Sequence, residues 1–381
     1  MTTPSTDPVS ARHGGAPHVL VVGAGIVGAS ICWHLVRGGA AVTLVDAGAP
    51  GGVATAASFA WINASWGNPE PYVRLRMAAM AGWRRLDAAV PDLGVAWSGA
   101  LLWDLPEPEL RAFAAGHAAL GYDIRLVDAP EAARLEPALA VPPALAVHAP
   151  GDAAVEPVAA AGVLVAAAAA AGATVRLDAA VTGLAFTDAG AAGAVLSDGT
   201  RIAADAVVVA AGVATPGLLA PAGVALPLFE PAGLLVRTEP VPKLLNGLVI
   251  SPAVHVRQRA DGRLLAGADF GGGDPGADAA ATAEGVWADL RALLRPDTPL
   301  ALEGFTVGRR PTPADGFPAV GGIPDVPGLF MAVMHSGVTL APAVGAFLAE
   351  EILDGTREPL LAPYRPERFV PGQVWAPPPV I

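Results

Sequence analysis

Three groups of residues in this chain have types suited to chemistry, and only the first is set apart by its spacing. The first is Gly23-Ala24-Gly25-Ile26-Val27-Gly28, directly after the apolar run His18 to Val22. In a strand–turn–helix junction each of these glycines has a mechanical use. Gly23 makes the tight turn, Gly25 lets a pyrophosphate approach the backbone, and Gly28 lets the helix lie close to the strands. The N–H groups and positive dipole end of such a helix then face the phosphates. Asp46 follows Gly28 by eighteen residues, the distance at which a carboxylate accepts from ribose hydroxyls. FAD and NAD share this fingerprint, so the glycines alone do not choose between them. The second group is the pair Arg309-Arg310, since a planar guanidinium grips a carboxylate with two parallel bonds. A structural alternative is that Arg310 pairs with Asp315. The third is His255 and His335, which either line a site as groups titrating near neutrality or are ordinary satisfied polar residues.

The elements that must position these residues are visible in the pattern. A helix runs from the glycine turn to Arg37 and stops at Gly38-Gly39, and a second strand, Ala41 to Val45, ends at Asp46. Strand, turn, helix and strand within this length make a β-α-β unit. Pro157 opens a further helix ending near Gly172, and a strand from Thr174 to Leu177 follows. The segment from Val181 through Asp198-Gly199 to Ile202 reads as a small meander. Ala206 to Ala210 reads as a buried strand ending at Ala211-Gly212. Late in the chain a strand is expected at Leu329 to Val333 and a helix from about Ala341 to Leu353. The expected fold is α/β: a Rossmann-like nucleotide domain in three pieces (18–90, 151–220 and 304–370) with a smaller antiparallel-sheet domain (91–150 and 221–303). Residues 1–17, polar and without an apolar core, read as a flexible leader rather than a signal peptide.

Composition narrows the function. Of 381 residues, 53% are hydrophobic and 15% charged, enough apolar content for a large core. A net charge of −12 argues against nucleic acid or an anionic membrane as partner. The alanine-rich stretch Val158 to Val175, broken by Gly162 and Gly172, reads as a buried crossover helix and not a membrane span. The one cysteine, Cys32, excludes an intrachain disulfide and is expected to be packed in a helix. A cytoplasmic protein is the expectation. No Cys/His cluster suggests a metal, and the GxSxG elbow of serine hydrolases is missing.

Taken together, the opening GAGIVGASICWHL, the helix after Glu156-Pro157, the strand VVVAAG at 207–212 and the blocks GRRPTPADGFPAVG and MAVMHSGVTLAPAVG resemble the D-amino-acid oxidase superfamily. The resemblance is to its glycine oxidase and sarcosine oxidase branch, and it runs from about residue 18 to residue 354. It implies FAD as cofactor, held non-covalently because no flavinylation motif is seen. It places Gly23, Ala24, Gly25, Ile26, Val27, Gly28, Asp46 and Ala47 at the ADP half, and Thr55, Ala57 and Ser58 at the pyrophosphate and ribityl chain. Val181 falls beside adenine, and Ala211, Gly212 and Gly308 fall along the cofactor. Ser336, Gly337, Val338, Thr339 and Leu340 fall near the isoalloxazine at a helix N-terminus. Arg310 matches the arginine that pairs with substrate carboxylate, although Arg309 stands where relatives carry an apolar residue, so the register could be one off. His255 and His335 stand where glycine oxidase has tyrosine and arginine, which puts glycine itself in doubt as substrate. Trp61, Asn63 and Trp66 follow the pyrophosphate loop and are weaker candidates for approaching the flavin. The implied reaction is oxidation of a C–N bond in a small amino acid or N-alkyl amino acid, with O2 or another acceptor taking the electrons. Two rivals are a 2-hydroxy-acid dehydrogenase, which would need a base such as His255 or His335, and a flavin subunit of a heteromeric dehydrogenase. The oligomeric state is not legible.

Overall fold

The computed structural model describes residues 15–65, 68–269, 273–370, 373 and 375. Six strands form one sheet in the spatial order Ala319–Gly322, Leu329–Val333, Ala206–Val209, His18–Val22, Ala41–Val45 and Thr174–Arg176. All neighbours are parallel except the outermost pair, Ala319–Gly322 on Leu329–Val333. The central strands are continuous Val/Leu/Ala runs buried on both faces, as a parallel sheet covered on two sides requires. One face carries the helices Ile26–Arg37, Pro157–Ala170 and Gly337–Asp354, all in one core. The other carries a three-stranded meander, Val181–Thr187, Gly190–Leu196 and Arg201–Ala203.

The second large sheet has eight strands, ordered Leu302–Arg309, Ala232–Thr238, Leu264–Gly267, His255–Gln258, Leu248–Ile250, Ala100–Leu102, Leu145–Ala149 and Arg125–Asp128. It departs from expectation in two ways. One of its pairs, Leu248–Ile250 on Ala100–Leu102, is parallel because those segments come from separate excursions of the chain. It also takes in Leu302–Arg309, which pairs along Ala232–Thr238, so residues 304–309 belong to this sheet and the chain returns only after Arg309. Two short pairs stitch the halves together, Trp61–Ile62 on Ala153–Ala154 and Leu228–Phe229 on Thr312–Pro313.

The closing helix also departs from expectation. It spans Gly337–Asp354 and begins before Pro342, which lies inside it. A proline there has no N–H for the carbonyl four residues back, Val338. The indole of Trp83 donates to that carbonyl at 2.9 Å and replaces the missing bond. Gly82 beside it keeps the approach close, because a Cβ there would lie 2.9 Å from the Pro342 Cβ. The alanine-rich stretch resolves as the helix Pro157–Ala170 and the strand Thr174–Arg176. No helix of the described residues is long and apolar enough to cross a membrane.

Candidate active site

The glycine turn has the geometry its sequence implies. Gly23 adopts φ 109°, and a Cβ there would lie 2.5 Å from the Ala210 carbonyl oxygen. A Cβ on Gly28 would lie 1.9 Å from the Gly23 carbonyl oxygen, so only glycine allows the helix so close. Gly25 differs. Its φ is ordinary and a Cβ would meet only the Thr55 hydroxyl at 3.4 Å. The protein itself therefore tolerates a side chain at residue 25, and the reason for glycine lies in whatever fills the groove beside it. Asp46 braces the turn, its two oxygens accepting from the Ala24 N–H at 2.6 Å and the Gly48 N–H at 2.8 Å. Each oxygen keeps a lone pair for a further donor. The Thr55 hydroxyl accepts from the Ile26 N–H at 3.2 Å.

A groove of about 330 Å³ runs along the carboxyl ends of the parallel strands, where open α/β sheets bind ligands. Of the expected cofactor residues, Gly23, Gly25, Ile26, Val27, Asp46, Ala47, Thr55, Ser58, Val181, Ala211, Gly212, Gly337 and Val338 line it. Ala57, Gly308, Arg310, Ser336 and Thr339 line instead a second cavity of about 110 Å³. Ala24, Gly28 and Leu340 line neither: Ala24 and Gly28 act through turn and packing, and Leu340 points into the core. The two cavities are contiguous, sharing Ala54, Ser58, Pro311, His335 and Val338. Gly308 permits the junction, because a Cβ there would lie 2.4 Å from the Ala57 Cβ.

Arg310 enters the small cavity from the chain just beyond Leu302–Arg309. Its Nη2 donates to the Ala232 carbonyl at 2.9 Å, which sets the direction of the guanidinium. Burial works against its charge and Asp269 supports it. The expected alternative, a pair with Asp315, is not formed, because Arg368 holds that carboxylate at 2.6 Å. Arg309 lines the cavity rim but is exposed, 3.9 Å from Glu230. Arg310 is thus the buried member of the pair.

His335 stands where groove and cavity meet. Burial, then Arg310 and Arg76, push its pKa down to about 3, so the ring is neutral at any physiological pH. Of its two readings, His255 fits the structural one. It lines neither cavity; its Nε2 lies 3.2 Å from Asp104 Oδ2, both side chains being buried. Strand alternation puts it on the same face as Arg257, whose Nε donates to the Phe59 carbonyl at 2.6 Å and so pins the cavity loop. His255 is a packed element of that wall.

Arg76 is the functional group that sequence reasoning missed. It is buried and lines the cavity from the helix Glu70–Ala89. Nε donates to the Asn63 carbonyl (3.0 Å), Nη2 to Asn63 Oδ1 (2.6 Å) and Nη1 to the Ser336 hydroxyl (2.7 Å). Its signal was available: with Tyr72, Ala79, Met80 and Trp83 it falls on the apolar stripe of that helix, an odd place for an arginine. Trp61 and Asn63 line the cavity as expected; Trp66 is outside the described residues. Behind Trp61 lies Asp152, fully buried, accepting from the Trp61 indole at 2.8 Å and from the Tyr122 hydroxyl. Burial pushes the Asp152 carboxyl up to about 7 against these bonds. Cys32 lies in the core, where burial raises its thiol to about 12, far from any flavin tether.

A dinucleotide-type groove opens onto a small cationic cavity, and the family match sets the class, the flavin-dependent oxidoreductases. The chain belongs to the DAO family, FAD dependent oxidoreductases, which it matches over residues 18–351. It is similar to the uncharacterized oxidoreductase YurR of Bacillus subtilis, 31% identical over 91% of this chain and 98% of that one. It is 29% identical to the glycine oxidase of Geobacillus kaustophilus over 87% of this chain and 92% of that one. The crystal structure of that glycine oxidase superposes with a TM-score of 0.81, covering 93% of this chain and all of the other at 26% identity. The structure of iminodiacetate oxidase from Chelativorans gives 0.77 over 91% and 98%, at 27% identity.

Proposed function

We propose that this enzyme oxidises the C–N bond of a small amino acid or N-alkyl amino acid, with FAD in the groove and the substrate in the adjoining cavity. One observation carries the reading: the cavity that meets the groove is lined by three arginines and no acid. The residues present suit FAD. Gly25 leaves open a backbone approach that nothing in the protein fills, and Asp46 retains capacity for ribose hydroxyls. Residues 18–58, 157–218 and 311–354 supply the parallel sheet, its helices and the groove lining, and the eight-stranded sheet covers the substrate half.

When bound, FAD supplies the two-electron acceptor for a hydride leaving the carbon next to nitrogen. Arg310 holds the substrate carboxylate, its fork aimed by the Ala232 carbonyl. Burial and the cations Arg310 and Arg76, which push the His335 pKa down, would likewise disfavour a protonated amine, so the amine enters neutral and leaves its proton in the solvent. Once the hydride has left, the imine takes up water and falls to a carbonyl acid and an amine. No protein base is then obligatory. A 2-hydroxy acid would need one, and His335, with its pKa pushed to about 3, is a poor proton acceptor. The same reading has O2 or another acceptor restoring the flavin, and a cytoplasmic enzyme.

The test is anaerobic loss of flavin absorbance on the isolated chain, screened with amino acids, N-alkyl amino acids and hydroxy acids. Arg310→Ala should lower kcat/KM by roughly two to four decades, since an arginine fork on a buried carboxylate is worth about 3–5 kcal/mol. Arg309→Ala should be mild. Full activity in Arg310→Ala, or bleaching only by hydroxy acids, would overturn the reading.

A further inference from the structure

We propose that the substrate carries two anionic groups, one on Arg310 and the other on Arg76, so that this enzyme prefers an amino dicarboxylate to a simple amino acid. The proposal rests on the amino-acid reading above and names its substrate class.

Arg76 is 6% exposed, and its hydrogen bonds all go to neutral partners: the Asn63 carbonyl, the Asn63 side-chain amide and the Ser336 hydroxyl. A guanidinium has five N–H donors, so one on each terminal nitrogen remains for a ligand. The carboxylate that acts on Arg76, Asp152, has both oxygens engaged, one by the Trp61 indole and one by the Tyr122 hydroxyl. Burying a charge against neutral partners is costly unless an anion arrives to pair with it. In a chain of net charge −12, a cavity lined by Arg76, Arg309 and Arg310 without one acidic side chain is a local reversal of sign.

Charge balance separates one anion from two. Arg76 comes from the helix Glu70–Ala89 and Arg310 from the strand side, and both act on His335 between them. Asp269 already acts on Arg310, whereas every hydrogen bond of Arg76 goes to a neutral group. A monocarboxylate on Arg310 leaves Arg76 without a bonded anion, and a second carboxylate supplies one. Asn63 and Ser336 clamp three of Arg76's donors, so its remaining face is preset rather than searching.

Diglycolate and methoxyacetate make the comparison without turnover: they have the same ether core, with two carboxylates and with one. Their binding to the FAD-loaded enzyme is read from perturbation of the flavin spectrum and, independently of the flavin, from thermal shift. Wild type should bind diglycolate about a hundredfold more tightly than methoxyacetate. Arg76→Met should bring the two within about fivefold, and Arg76→Lys should retain part of the difference. In turnover the same order should hold for iminodiacetate over sarcosine. Equal affinities in wild type would overturn the proposal. So would an Arg76→Met variant that loses both ligands equally, which would mean both arginines hold one carboxylate or that Arg76 serves the cofactor. Should Arg76→Met fail to fold, the wild-type ratio and Arg76→Lys decide. Either failure leaves simple amino acids bleaching the flavin; failure of the underlying reading shows as no amine bleaching it at all.

Discussion

The bond between Trp83 and Val338 makes a quantitative demand. Trp83 is fully buried, and its indole N–H meets the Val338 carbonyl because Pro342 offers that carbonyl no N–H. Trp83→Phe removes the donor and leaves a buried carbonyl unpaired, at about 1–3 kcal/mol. Shrinking the ring adds about 1–2 kcal/mol for the space left behind. Pro342→Ala restores a backbone N–H to the same carbonyl and keeps the Cβ that packs on Gly82. In the Pro342→Ala background, Trp83→Phe should then cost only the packing part. The double-mutant cycle should show a coupling of about 1–3 kcal/mol, measured from urea midpoints at unchanged m-value. Equal costs of Trp83→Phe in both backgrounds would refute the account of how the helix absorbs its proline. Because Gly337 and Val338 line the groove, the single variant should also release flavin faster than the double.

Acid precipitation should leave FAD in the supernatant, and Asp46→Ala should weaken FAD binding measured by ultrafiltration; flavin remaining in the pellet would contradict a non-covalent site. His335→Ala should alter turnover with little change in the flavin spectrum, whereas His255→Leu should act on stability and leave the pH profile of turnover in place; the reverse pattern would exchange their roles. Asp152→Asn tests the buried carboxyl by pH. Its folded pKa of about 7 stands above the unfolded value of about 3.9, so the stability linked to its protonation is complete below pH 4 and lost as pH rises through 7. The stability of wild type relative to Asp152→Asn should therefore fall across that window, by at most about 1.4 kcal/mol per pH unit; a flat difference in urea midpoints would count against it.

The cofactor half was legible because its rules are local. Gly23, Gly28 and Asp46 act within one β-α-β unit, and sterics at each glycine decide the outcome in any context. Arg310 was legible through its neighbours Gly308 and Pro311, and its guanidinium indeed faces the cavity. What was hidden depends on distant partners. Pro342 reads as a helix start unless one knows that Trp83, whose indole reaches a carbonyl 255 residues further along the chain, supplies the missing donor. Whether His255 faces substrate or packing stayed open in the sequence, because a strand position does not reveal that Asp104 will cover it. Residues 304–309 were placed with the nucleotide domain because nothing local shows that they pair with Ala232–Thr238. Arg76 was overlooked although its helical spacing with Tyr72, Ala79, Met80 and Trp83 offered a signal.

The helix that opens the chain is finished by the helix that nearly ends it. The Ser30 hydroxyl donates to the Ala341 carbonyl, 311 residues later, at 2.8 Å, and Gly345 lets the two helices touch. During synthesis the nucleotide turn therefore leaves the ribosome well before residues 329–354, and one flank of its helix stays uncovered until they are made. Only when residues 329–354 emerge can the parallel sheet gain its Leu329–Val333 strand and the groove its wall at Ala332–Val338. A complete groove is therefore not available before residues 332–338 are made. A nascent chain halted short of Gly337 should sediment without flavin, however complete its glycine motif.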